Sequence, residues 1–130
     1  MIREPFHFRE TFATILADDP GHANAAKTGM MAARQVLEAY IARDPFFTAT
    51  FDPYDPDSDE LVITRMAGAA GKAGVGPMAA VAGTIAWAGV EAMQDAGASF
   101  GVIDNGGDIA LFSDRPVRVG VHAGAAALSD

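Results

Sequence analysis

The sequence predicts an α+β fold in which helices pack against an antiparallel sheet, and three observations carry this reading. Short β-rich runs stand near both ends of the 130-residue chain, a long segment with helical period follows the first of them, and a Gly- and Ala-rich helical segment precedes the last. Half of the residues are hydrophobic and 20% are charged, which is enough apolar material for a core. The length suits one domain, residues 1–130, because domains typically run ~100–150 residues.

Phe6-His7-Phe8-Arg9 and Thr11-Phe12-Ala13-Thr14-Ile15-Leu16 alternate apolar with polar side chains and are rich in β-formers, so one or two half-buried strands are expected there. Asp18-Asp19-Pro20-Gly21 is turn chemistry. Ala26, Met30, Ala33, Leu37, Tyr40 and Ile41 then recur at helical spacing, which predicts an amphipathic helix over 23–43. Asp44-Pro45 ends it, since the residue before proline is pushed out of the α region. From Phe46 to Glu60, two prolines and five acids oppose regular structure, while three phenylalanines and a tyrosine seek a surface; the expectation is a loop pinned by its aromatics.

Ser58 is placed to cap a helix from about Asp59 to Lys72, weakened in its second half by Gly68 and Gly71. Pro77 is pre-shaped for a first helical position and Gly97 for a left-handed stop, so a second central helix is expected between them. Its glycines and alanines permit close approach of a neighbour, which must offset the ~0.5–1 kcal/mol that each glycine costs a helix. The last strands are expected over 99–104, 109–112 and 117–122, joined by the turns Asn105-Gly106-Gly107-Asp108 and Ser113-Asp114-Arg115-Pro116.

Several functions are disfavoured by composition. Nine Lys and Arg stand against 17 Asp and Glu, and a net charge of −8 opposes the phosphate neutralisation that nucleic acids and anionic membranes demand. Without cysteine there is no disulfide framework, thiolate metal site or thiol nucleophile. The opening Met1-Ile2-Arg3-Glu4-Pro5-Phe6-His7 lacks the apolar region of a secretory signal, so a cytoplasmic protein is expected. Ala73 to Val90 carries no charge, but its glycines and Pro77 dilute the large side chains too far for a membrane span.

Asp55, Asp57 and Asp59 alternate like the opening of a calcium loop, but Glu60 and Met66 occupy the sixth and twelfth positions, where Gly and Glu are needed; no metal is expected. His7, His22 and His122 are dispersed, and the serines show no sign of activation. Two segments could grip an anion. Lys72-Ala73-Gly74-Val75-Gly76-Pro77-Met78 leads into the central helix, whose free N–H groups and positive dipole end attract phosphate. Asn105-Gly106-Gly107-Asp108 follows a strand, and its glycines can turn amides toward a ligand while Asp108 accepts hydrogen bonds from a ribose or base. Both segments also have a purely steric reading, as a Gly-rich helix entry and a hairpin turn.

The run from Lys72 through Gly76-Pro77-Met78 to Ala86, together with Gly97-Ala98-Ser99 and Val102 to Leu111, resembles an uncharacterised prokaryotic family of the ApbE-like superfamily. That superfamily is named after a thiamine-biosynthesis lipoprotein that acts as an FAD:protein FMN transferase. Phe6 to Glu10 and Ser113 to Gly120 fit as well, so the resemblance spans this chain and corresponds to the N-terminal half of such a protein. It implies an ApbE-like α+β fold, incomplete in this chain, and a flavin-nucleotide site for FAD or FMN. The implied contacts are Lys72, Gly74, Val75, Gly76 and Met78 at the helix entry, and Asn105, Gly106, Gly107 and Asp108 at the turn.

Gly76-Pro77 stands where the transferases carry Lys-Gly, and no position matches their magnesium-binding Asp and Thr, so any activity is FMN-transferase-like at best and magnesium is not expected here. Unpaired sheet edges imply a homo-oligomer or a complementary chain completing the sheet. The alternative is a non-enzymatic structural half-domain, or an oligomerisation module, that binds no ligand.

Overall fold

The structure, a computed structural model, describes residues 1–118 and Gly120. Strands β1 (Ile2–Phe8) and β2 (Thr11–Ala17) are followed by helices α1 (Pro20–Arg43), α2 (Phe46–Ala49) and α3 (Leu61–Lys72). A 3-10 turn, Pro77–Ala80, leads into α4 (Val81–Asp95), and β3 (Gly101–Asn105) and β4 (Asp108–Phe112) complete the described chain. The four strands form one antiparallel sheet in the order β1-β2-β3-β4. This is the α+β arrangement expected.

Alternation along β2 buries Ala13, Ile15 and Ala17 on the face that also carries Gly101 and Ile103 of β3. Helices α1 and α4 cover that face, and Ile15, Met30, Leu37, Ile85, Met93 and Ile103 are fully buried or nearly so between the layers. Small residues set the spacing: a Cβ on Gly101 would lie 2.7 Å from Met93, and one on Gly29 of α1 would lie 2.6 Å from Ala92 of α4. The close approach expected of the Gly- and Ala-rich helix is therefore realised against both a strand and a helix.

Helix α1 starts three residues earlier than its apolar period suggested. Asp19 accepts a hydrogen bond from the His22 amide at 3.0 Å, and Pro20 occupies the first turn, so the predicted turn is in fact the cap. The β1–β2 tip, where Arg9 takes a positive φ of 53°, is tied to α1 by ion pairs from Arg9 to Glu38 and from Arg34 to Glu10.

The segment 46–60 departs from expectation by forming the one-turn helix α2. Pro45 is already helical, the Thr48 amide donates to its carbonyl, and Phe47 is driven inside. Of the three phenylalanines only Phe47 is buried; the pinning comes from tyrosines. Tyr40 and Tyr54 both donate to Asp44 Oδ2, at 2.6 and 2.8 Å, and the Asp57 amide donates to the Tyr40 hydroxyl at 3.0 Å. These two hydroxyls hold the Asp44 carboxyl below its usual range, while burial and the carboxylate push Tyr40 up.

Ser58 does not cap α3. Its hydroxyl accepts from the Glu60 amide at 3.1 Å in a local turn, and the helix begins at Leu61, later than expected. The central helix likewise begins as a 3-10 turn at Pro77 and becomes α-helical only at Val81. It ends as predicted, with Gly97 at φ +90° and the Ala98 amide returning to the Met93 carbonyl at 3.0 Å. Gly106 and Gly107, at φ +64° and +100°, make the two-residue turn joining β3 to β4. Val117 and Arg118 are not in a strand, and the rest of the strand expected over 117–122 lies outside the described residues apart from Gly120. Among the described residues no single helix is long and apolar enough to cross a membrane.

Candidate functional site

The two Gly-rich segments end in different surroundings. Lys72 is the last residue of α3, and Gly74 takes a φ of +74° that lets the chain fold back. The Ala73 and Val75 amides both donate to the Ala70 carbonyl, at 3.1 and 3.0 Å, and the Gly74 amide donates to Gly71 at 3.1 Å. These amides close α3, so in this conformation they are engaged with the negative end of a helix dipole, where the Lys72 ammonium is also favourably placed. Gly76 is buried against the Thr50 carbonyl, with which a Cβ would collide, and Met78 is partly buried in the 3-10 turn.

The second segment sits against the head of α4. Asn105 is buried, and its Nδ2 donates to the Ala82 carbonyl in the first turn of that helix at 3.0 Å. Gly106, Gly107 and Asp108 are exposed, and a Cβ at either glycine would meet nothing within 4 Å. The Gly107 amide donates to Asp104 Oδ1 at 2.9 Å, which fixes the turn. The fold therefore joins Asn105 to Asp108 with the start of the helix that Gly76 and Met78 lead into. It leaves Lys72, Gly74 and Val75 in the closure of α3.

Other candidates resolve into structural roles. His7 stacks on Phe12 with ring centres 4.0 Å apart, and His22 lies in the first turn of α1; His122 is outside the described residues. Among the described residues no group of three or more His, Asp or Glu could hold a metal ion, Asp55, Asp57 and Asp59 included. Gly97-Ala98-Ser99-Phe100-Gly101 has the Gly-x-Ser-x-Gly spacing, a signal the reading of the serines passes over. It lies between a helix and a strand, the reverse of a nucleophile elbow, and the Ser99 hydroxyl donates to Asp114 at 2.9 Å.

Two arginine sites escape the sequence reading. Arg115, in what reads as a plain turn, forks onto Asp18 at 2.6 and 3.1 Å, bonds Asp114 at 2.7 Å and lies over the Phe100 ring at 4.5 Å. It holds the Asp18 and Asp114 carboxyls below their usual range. Arg65 lines a cleft of about 300 Å³ between α1, α3 and α4. There it forks onto Glu91, with Nη2 at 2.8 Å from Oε2, and stacks over Trp87 at 3.7 Å. Arg65 depresses the Glu91 carboxyl, so the pair stays ionised and its charge is internally neutralised. Nothing in that spacing announces a pair 26 residues apart.

Comparison with known proteins decides the family. Residues 5–130 match the family described as AbpE bacteria. The chain belongs to this family. It is similar to the UPF0280 protein of Methanoregula boonei, at 74% identity over 130 residues, covering all of this chain and 55% of that protein. It is also similar to the UPF0280 protein of Methanosphaerula palustris, at 62% over 129 residues, with 99% and 54% covered. A third, the UPF0280 protein of Methanoculleus marisnigri, is 63% identical over 129 residues, with 99% and 53% covered. The chain thus spans about half the length of the curated relatives it matches.

Proposed function

We propose that the chain supplies part of a flavin-nucleotide site of ApbE-like type, with FAD or FMN lying where the Asn105–Asp108 turn meets the head of α4. The single observation carrying this is the bond from buried Asn105 to the Ala82 carbonyl at 3.0 Å, which holds an open two-glycine turn against the first turn of a 15-residue helix. Phosphate is favoured by the positive end of that helix, which Gly76 and Met78 flank. Gly106 and Gly107 let a ligand come close to the backbone, and exposed Asp108 accepts hydrogen bonds from ribose or ring donors. Lys72, Gly74 and Val75, engaged in closing α3, stand outside this site on the proposed reading. On this reading the protein works in the cytoplasm, its net charge of −8 keeping nucleic acids away.

A second reading, a structural half-domain without ligand, is favoured by the internal bonds of the Val75 and Gly107 amides. Titration with FMN and FAD separates the two. Ligand at ~100 times its dissociation constant stabilises a fold by about 2.7 kcal/mol, which a thermal shift reads directly. Asp108→Ala, at an exposed position, should weaken the response without lowering the melting temperature of the free protein. Absence of any shift or flavin quenching with both nucleotides overturns the first reading in favour of the second.

A further inference from the structure

The sheet has a second face, and it carries an apolar patch. Register places Leu16, Val102 and Leu111 side by side across β2, β3 and β4, with Ile109 beside Asp104 in the next row and Phe12 beyond. These side chains point away from α1 and α4, since they alternate with Ala13, Ile15, Ala17, Gly101 and Ile103, which the helices cover. Register also puts Arg3, His7, Thr14 and Asp104 on this face, but the row Leu16–Val102–Leu111 with Ile109 makes an apolar patch where a wetted antiparallel face carries polar residues. Phe12 is 63% exposed, Leu111 43% and Ile109 40%, while Leu16 is partly buried and Val102, at 7%, is already covered. Contiguous exposure of this kind marks an interaction surface.

Two observations indicate what covers it. After β4 the chain turns at Ser113–Pro116, anchored by the fork of Arg115 onto Asp18, and Val117, Arg118 and Gly120 then wall a groove of about 250 Å³ together with Leu16, Val102 and Ile109. Polypeptide is thus already directed across this face. In addition, the matched region accounts for only 55% of the Methanoregula boonei relative, leaving about 45% of a family member to be packed somewhere. We infer that the open sheet face is the seat of that remaining polypeptide, which lies on Leu16, Val102, Ile109 and Leu111 as a second layer and converts the two-layer half into a sheet buried on both sides. Arg3, Arg118 and Asp104 line the groove, so the docked segment should present carboxylates to the two arginines and a donor to Asp104.

The absence of cysteine makes the test clean. Leu111→Cys and Phe12→Cys are compared with Gln35→Cys, on the exposed side of α1, by maleimide labelling of the 130-residue chain and of the full-length Methanoregula boonei protein substituted at the aligned positions and freed of other cysteines. All three should label freely in the short chain. In the full-length protein the two sheet positions should lose labelling, which then waits on local opening, while the α1 position keeps it. Leu111→Glu should leave the circular dichroism of the short chain intact and lower the melting temperature of the full-length protein. Free labelling of both sheet cysteines in the full-length protein overturns the proposal. So does protection in the short chain that grows with concentration alongside a dimer in light scattering, which would assign the face to a second copy.

Discussion

Substituting Gly29 with alanine tests the packing of α1 on α4. Gly29 lies in the middle of α1, where alanine is intrinsically the better helix former by about 1 kcal/mol. Propensity alone therefore predicts a more stable protein. The added Cβ would lie 2.6 Å from the Cβ of Ala92 and 3.0 Å from the Ala88 carbonyl oxygen, against ordinary contacts of 3.4–4 Å. Neither neighbour can swing aside, since one is a methyl on the backbone and the other is the backbone, so the helices themselves must separate. Overpacking of this kind costs ~1–3 kcal/mol, and with two rigid neighbours the upper half of that range applies. Subtracting the propensity gain leaves a net loss of about 1–2 kcal/mol.

Gly68→Ala in α3 is the matched control, because a Cβ there meets nothing within 4 Å; it should gain about 0.5–1 kcal/mol. Urea unfolding followed by circular dichroism reads both values, as displacements of the midpoint in opposite directions at an unchanged slope. A midpoint for Gly29→Ala equal to or above that of the parent would refute the close approach of α1 and α4, and with it the argument that the small residues of α4 are there for packing.

Three further outcomes follow from named contacts. Asn105→Ala removes a buried donor and should cost about 1–2 kcal/mol in unfolding free energy while weakening any flavin response more than Asp108→Ala does. Asp44 is depressed in the folded state by the Tyr40 and Tyr54 hydroxyls, so its stabilisation is complete above the ordinary carboxyl value of 3.8 and is lost as pH falls below it; acid titration of Asp44→Asn should show a flatter decline over that range than the parent. Arg65→Lys keeps the charge but not the fork onto Glu91, and should lower stability by about 1 kcal/mol while shifting the emission of Trp87, the only tryptophan of the chain.

What was legible in the sequence is what depends on neighbours close along the chain. The alternation from Thr11 to Leu16, the helical spacing from Ala26 to Ile41, the Asp44-Pro45 stop, the Gly97 stop and the Asn105–Asp108 turn all appear where the residues place them. The misreadings arise where a distant partner decides. Phe47 folds α2 because Tyr40 and Tyr54 offer it ring edges at 5.1 and 6.1 Å, contacts that composition between 46 and 60 does not reveal. Ser58 has cap chemistry, but its hydroxyl closes a tighter turn on Glu60 first. The forks of Arg115 onto Asp18 and of Arg65 onto Glu91 join residues 97 and 26 positions apart and leave no local trace.

The two glycine segments show why site chemistry is harder to read than fold. A glycine at positive φ is required both where a helix must stop and where a backbone must open toward an anion, so Gly74 and Gly106 look alike in sequence. They part company in what lies five residues upstream. Val75 follows a completed helical turn and donates to the Ala70 carbonyl, which also accepts from Ala73, so its amide is drawn inward. Gly106 follows a strand, whose carbonyls are committed to the neighbouring strand, and its turn stays open on the outside. On the proposed reading the Asn105 side of α4 is the more accessible: an anion at the Lys72 side would have to displace three bonds that close α3, whereas at Gly106 it meets exposed backbone, with only the Gly107 amide held by Asp104, beside a helix head bonded to Asn105.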